Sequence, residues 1–241
     1  MDFISLSMRI CLILVITSFG ANASNTGGVP APSMTPFEKG IGYRFAFSPN
    51  NEDFSQVGLH RFQYQQSFDE KSRWRLIAQV RDINNTTQYD ELRVQYLWLI
   101  DKSQGQTRES AFRIDARTRR GSRPEQLALV WTNRWRFAEN YSFTGAMIGN
   151  WQIGDTAKTG TLVEVRLALQ AKLANGGAIA LQTFSDMGKL TNMGSFNQQR
   201  HSAGFMYSMR VNAVNLQIGY LKGITSATTN DTVRFWMDYR F

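Results

Sequence analysis

The sequence predicts an all-β fold, a transmembrane antiparallel up-and-down β-barrel of about twelve strands. Three observations predict it. Apolar and polar side chains alternate at period two almost to the last residue. The connections between alternating segments are short and long in turn. The N-terminus reads as an export signal. Composition agrees: of 241 residues, 42% are hydrophobic, 12% aromatic and 19% charged. Mean hydropathy is −0.34, and no apolar run of about 20 residues follows the N-terminal segment, which excludes a helical membrane bundle. A single cysteine excludes an internal disulfide.

Residues 1–23 read as a secretory signal peptide. Arg9 precedes an apolar stretch, Ile10–Ile16, and Ala21-Asn22-Ala23 supplies a small-residue cleavage pattern. Cys11 lies inside the apolar stretch, so a lipoprotein anchor is not expected and the mature chain lacks cysteine. Residues 24–39 are rich in Gly, Pro, Ser and Thr and read as a flexible periplasmic leader. The barrel is expected over 40–241.

Strands are expected in order near 41–47 and 57–67, then through Trp74, Leu76, Ala78 and Val80. The next follow Leu92, Val94, Tyr96, Trp98 and Ile100, then Phe112, Ile114 and Ala116, then Leu127, Leu129, Trp131 and Trp135. One follows near 141–153, and another through Val163, Val165, Leu167 and Leu169. The last are near 177–185, 201–210 and 213–222, and through Val233, Phe235, Met237, Tyr239 and Phe241. In each, successive side chains point to opposite faces. Short turns are expected near 68–72, 101–107, 138–140, 174–176 and 211–212. Longer segments are expected near 48–56, 83–89, 118–125, 154–160, 186–200 and 223–231. Loop 186–200, with Met187, Met193 and Phe196, has the length to fold inward, and its sequence does not decide whether it does.

A soluble sandwich also alternates. Aromatics near strand ends (Tyr43, Trp74, Trp98, Trp131, Trp135, Tyr141, Trp151, Tyr239) and an even number of hairpin-connected strands favour the membrane instead. The ending VRFWMDYRF resembles the C-terminal signal of Gram-negative outer-membrane proteins, with Val233, Phe235, Met237, Tyr239 and Phe241 at the alternating positions. That resemblance implies insertion by the outer-membrane assembly machinery. It also implies outer-membrane lipids and lipopolysaccharide as surroundings, and both termini in the periplasm. In size and strand number the chain is similar to small twelve-stranded channels such as the oligogalacturonate porins and nucleoside channels; no motif assigns it to either.

With the apolar series turned to lipid, the other series lines the lumen. It is rich in arginine: Arg44, Arg61, Arg73, Arg75, Arg81, Arg93, Arg113, Arg117, Arg134, Arg136, Arg166, Arg210, Arg234 and Arg240, with Lys172. Its acids are Glu91, Asp115, Glu164 and Asp238. Almost the whole formal excess of charge, +8 in net, therefore projects inward. Alternation demands polar residues inside but not arginine, so the sign carries information. Arg44, Arg61, Arg75, Arg93, Arg113, Arg117, Arg134 and Arg166 are the expected pore lining for small anionic solutes, oriented by Glu164 and Asp115. The neutral inward residues near 177–185 and 201–222 predict one basic wall facing one neutral wall. Two alternatives stand beside the channel: a closed barrel filled by Arg–Glu and Arg–Asp ladders and acting through its outer loops, and an outer-membrane hydrolase.

Nucleic acid is a poor fit, because the basic residues are spread over every second strand position. The loop Thr118–Glu125 does gather Arg119, Arg120 and Arg123, which suits a solvated loop or contact with lipopolysaccharide phosphates. Only two histidines exist. His201 and the adjacent Ser202 point to opposite faces of a strand and cannot pair. Asp186 has the position to approach His201 across its hairpin. No metal-ligand spacing appears and no cofactor is implied.

Overall fold

A computed structural model describes residues 26–49, 56–83, 86–103, 107–121, 123–228 and 231–241. The stretch expected to be a signal peptide, residues 1–23, lies outside these residues. Twelve strands follow one another: β1 Lys39–Ser48, β2 Val57–Ser67, β3 Ser72–Ile83, β4 Thr86–Lys102, β5 Arg108–Arg119, β6 Glu125–Ala138, β7 Tyr141–Ile153, β8 Leu162–Lys172, β9 Ala178–Lys189, β10 Arg200–Val211, β11 Val214–Gly223 and β12 Asp231–Arg240. Each pairs antiparallel with its neighbours in sequence, and β1 pairs with β12, so the sheet is a closed barrel. Closure removes every unpaired edge, which a β-structure in lipid requires. Paired amides seal the seam: Lys39 N–H donates to Phe241 O at 3.1 Å, and Phe241 N–H donates to Lys39 O at 2.9 Å.

Alternation sets the two faces. Phe62, Val94, Trp98, Ile114, Leu129, Met147, Leu181, Phe205, Ile218 and Val233 point outward and are exposed. The resulting apolar belt is what a membrane-spanning barrel turns to lipid. Aromatic pairs gather at the rim of short turns: Tyr64 with Trp74 at 5.3 Å, Trp135 with Phe143 at 5.6 Å and Tyr239 with Phe241 at 5.7 Å. Tyr43 and Trp131 stand mid-strand, so these two belong to the belt and not to an end girdle.

The short connections lie together at this turn rim, and most long ones lie at the opposite, loop rim. The connection expected at 83–89 departs from the pattern. Thr86–Tyr89 continue β4, a strand of 17 residues, and only positions 84–85 separate it from β3. Thr-Thr-Gln-Tyr is strand-prone, so this hairpin keeps its ladder. Loop 190–199 also differs from an inward fold: Phe196 stacks on the outward-facing His201 with ring centroids 4.4 Å apart.

β10 and β11 approach very closely. Gly204 and Gly219 face inward here, and a Cβ on Gly204 would fall 2.8 Å from Leu221 Cα and closer still to the Tyr220 carbonyl oxygen. A Cβ on Gly219 would meet Phe205 O at 2.5 Å. Side-chain-free positions permit this contact.

Candidate functional site

The lumen is built from the inward series of every strand. Two zones divide it. Toward the loop rim, a register shift between Gln79 and Val80 leaves Asp90 as an extra residue in β4. Such a bulge re-aims side chains, and here both Asp90 and Glu91 become buried. Glu91 sits among Arg93 at 2.5 Å, Arg117 at 3.4 Å and Arg61 at 3.6 Å. Asp90 sits between Arg123 at 2.8 Å and Arg81 at 3.1 Å. Arg123 also donates to the Asp90 carbonyl at 2.8 Å, so part of the 119–123 basic cluster ties its loop to this network.

Below the network, mid-barrel to turn rim, lies a cavity of about 570 Å³. Its lining holds ten arginines (Arg44, Arg61, Arg73, Arg75, Arg93, Arg113, Arg134, Arg166, Arg210, Arg240) against two carboxylates, Glu38 and Asp238. Neutral residues of β9 to β11, among them Ala180, Gln182, Ser208 and Gln217, and residues 27–31 and 33–35 line it as well. Further acids hold some of these arginines from outside the lining. Arg113 pairs with Asp115 at 2.6 Å, Arg166 with Glu164 at 2.7 Å and Arg134 with Glu109 at 4.0 Å. Arg44, Arg73 and Arg75 form no ion pair among the described residues. Arg44 lies over the Trp236 ring at 4.2 Å. Arg75 donates to Gln65 at 2.7 Å. The Nε atoms of Arg44, Arg93 and Arg234 are buried without a hydrogen-bond acceptor.

Of the arginines expected to line a pore, Arg44, Arg61, Arg75, Arg93, Arg113, Arg134 and Arg166 line this cavity. Arg117 lies in the network above it. Glu164 and Asp115 stand behind the lining, each against one arginine. Sequence reasoning missed Asp90, whose inward turn depends on the bulge. It also missed Glu109, whose alternation with Arg113 and Asp115 was visible but fell beside a turn.

A second departure is larger. Residues 26–33, expected to belong to a flexible leader, instead run through the lumen from Thr26 to Ser33. Thr26 Oγ1 donates to Gln79 Oε1 at 2.8 Å. Arg234 donates to the Gly27 carbonyl at 3.2 Å, Arg166 to that of Gly28 at 2.9 Å and Thr132 to that of Pro30 at 2.6 Å. Near the turn rim, Arg134 donates to Ser33 Oγ at 2.5 Å, Ser33 Oγ donates to Glu109 at 2.5 Å, and Arg73 donates to the Ser33 carbonyl at 3.4 Å. Thr26 and Pro32 are fully buried. The chain leaves the lumen at Phe37, whose φ of 56° is left-handed, and Glu38 pairs with Arg240 at 3.1 Å. Buried inward apolar residues fit an occupied lumen: Ile77 is 2% exposed and Val130 0%. An open water-filled pore would leave them wet.

The histidines stand on the outer wall. His60 Nδ1 lies 2.7 Å from the Tyr43 hydroxyl, and its Nε2 lies 2.8 Å from Asp82. His201 Nδ1 lies 3.0 Å from Ser185 Oγ, and its Nε2 lies 3.0 Å from Gln199. Asp186 does not join it. Asp186 is in register with Arg200 and Glu164, one position off, and its side chain takes the other face. The Ser185–His201 contact resembles a nucleophile–base pair in distance alone. Ser185 is paired on both sides, to Val165 and His201, so its backbone is committed to the ladder. His201 is 8% exposed under Phe196. This arrangement closes the β9–β10 rim. Among the described residues no cluster of His, Cys, Asp and Glu is placed to hold a metal.

The fold and its apolar belt define a twelve-stranded transmembrane β-barrel, and solved structures place it among bacterial outer-membrane barrels in fold. The KdgM porin matches with a TM-score of 0.62 over 84% of this chain and 99% of its own, at 9% identity. An outer-membrane channel of the COG4313 group from Pseudomonas putida F1 matches with a TM-score of 0.61 over 87% and 98%, at 7% identity. The Acinetobacter baumannii outer-membrane protein Omp33 matches at 0.50 over 85% and 98%, at 10% identity. No protein-family model matches the chain, and no curated protein sequence is significantly similar to it.

Proposed function

We propose that this protein is an outer-membrane channel for the passive passage of small anionic solutes, with its turn rim and the start of β1 facing the periplasm. One observation carries the reading: a lumenal cavity lined by ten arginines and two carboxylates, in which Arg44, Arg73 and Arg75 are without an ion-pair partner among the described residues. A cavity with low-dielectric walls and one sign of charge concentrates counter-ions. Guanidinium forks match carboxylates and phosphates in geometry as well as charge. The similar fold of the KdgM porin, also solved in complex with disordered oligogalacturonate, supports the class of solute. Glu164 and Asp115 serve as orienting groups. Lipopolysaccharide and outer-membrane lipid surround the belt, and Phe241 with its alternating partners presents the insertion signal to the assembly machinery. The role is transport without chemistry.

Proteoliposome uptake tests this. Galacturonate is expected to enter faster than galactose, a neutral sugar of similar size. Equal entry of the two, or entry of neither with or without residues 24–35, would refute the anion channel.

A further inference from the structure

The lumen already contains a ligand of its own making. Between Gly27 and Ser33 the chain presents successive carbonyl oxygens to donors on β12, β8, β6 and β3. These are Arg234 for Gly27, Arg166 for Gly28, Thr132 for Pro30 and Arg73 for Ser33. A chain reaches at most about 3.3 Å per residue, so these six steps span no more than roughly 20 Å of lumen. Three of the four donors are guanidinium groups. Carbonyl oxygens carry only partial charge, whereas an anion adds the attraction between two full charges, which grows as the surroundings lose water. The segment therefore satisfies these arginines less well than an anion would.

We propose that residues 26–36 form a removable strap that competes with multivalent anions for Arg234, Arg166, Arg134 and Arg73, so that the channel rests closed and is opened by its own class of solute. This rests on the channel reading above and adds regulation at the same site. Two features suit a strap that moves. Among the described residues it continues into the wall through the left-handed turn at Phe37, which is exposed at the rim. Its grip is also local. The backbone of Gly28 presses on Trp236, where a Cβ would fall 2.6 Å from the ring's Cη2 atom. Trp236 in turn stacks on Arg44.

Single-channel conductance in a planar bilayer tests the closure. The full mature chain is set beside a variant lacking 24–35 and beside Gly28→Leu, whose side chain clashes with Trp236 and which substitutes no wall residue. Heat-modifiable migration on a gel checks that each variant is a folded barrel. Both variants are expected to conduct at least several-fold more than the full chain. Equal conductance of all three would overturn the strap and leave the channel standing. Silence of all three, each folded, would remove the channel and the strap together. Competition is read separately. Ser33→Cys is the sole thiol of the mature chain, and its labelling by a membrane-impermeant thiosulfonate is expected to rise several-fold with tripolyphosphate. No change with tripolyphosphate, at equal ionic strength, would overturn the competition.

Discussion

The carbonyl oxygen of Gly28 accepts a hydrogen bond of 2.9 Å from Arg166, across 138 positions of sequence. Arg166 is held at the same time by Glu164 on its own strand at 2.7 Å. One guanidinium thus joins the wall's charge network to the segment that fills the lumen. The acids orient, and the remaining donors of the fork face inward.

The Glu91 network sets the stability of the upper lumen. Removing its charge leaves Arg61, Arg93 and Arg117 facing one another without a carboxylate. Breaking a buried ion network by removing one partner costs about 3–5 kcal/mol. Glu91→Gln is expected to lower the midpoint of urea unfolding in detergent correspondingly. A midpoint shift no larger than that of an exposed control such as Glu125→Gln would contradict the role assigned to the bulge.

Close approach of β10 and β11 makes Gly204 sensitive to a single methyl. Overpacking of this kind costs about 1–3 kcal/mol, and Gly204→Ala is expected to lose that much in the same unfolding measurement. Gly121, where nothing lies within 4 Å of an added Cβ, is a poor control because its φ of 75° strains any side chain. Ala178→Ser is the better reference, and equal stability of the two variants would refute the contact.

Sidedness is testable at neighbouring positions. Leu181 is 59% exposed on the belt, whereas Ala180 lines the cavity. Leu181→Arg places a charge in lipid, at a cost of about 2–4 kcal/mol near the midplane. Ala180→Arg adds a charge to a polar lumen and is expected to assemble nearly as well as the parent. Folding yields into lipid vesicles distinguish them, and a reversed order would mean that the faces are assigned the wrong way round.

One turn carries a pH signature. The Asp69 carboxylate accepts from the Lys71 amide at 2.7 Å, from the Ser72 hydroxyl at 2.8 Å and from the Ser72 amide at 2.6 Å. These bonds, that of Lys71 first, hold its pKa below the usual carboxylate value. A depressed carboxylate stabilises the fold above its unfolded pKa, and this contribution is lost as pH falls through the folded value. Asp69→Ala is expected to flatten the acid limb of the stability profile below about pH 4. An unchanged acid limb would contradict the turn's contribution.

The barrel was legible because alternation is a property of side chains. Val233, Phe235, Met237, Tyr239 and Phe241 mark one face without reference to any other strand. Contacts that depend on backbone are not written that way. Asp90 turns inward because one residue is extra in β4, and a bulge has no composition of its own. The strap escaped notice for the same reason. Gly27, Gly28 and Pro30 bind through carbonyl oxygens, which every residue possesses, so a Gly- and Pro-rich stretch reads as flexible whether or not something grips it. A signal did exist on the walls: Ile77, Val130 and Ile148 are apolar at inward positions, and their burial implies an occupant.

The central claim is that unpaired arginines make this lumen select anions, and reversal potential in a planar bilayer under a potassium chloride gradient tests it most directly. A unit charge about 4 Å from an ion's path in water is worth about 1 kcal/mol, a roughly fivefold change in ion preference. Residues 36–241, which lack the strap, are expected to give an anion-selective potential. Arg44→Gln with Arg75→Gln, which leaves no carboxylate orphaned, is expected to move it strongly toward zero. Cation selectivity in the parent, or a potential unmoved by the double variant, would contradict the account.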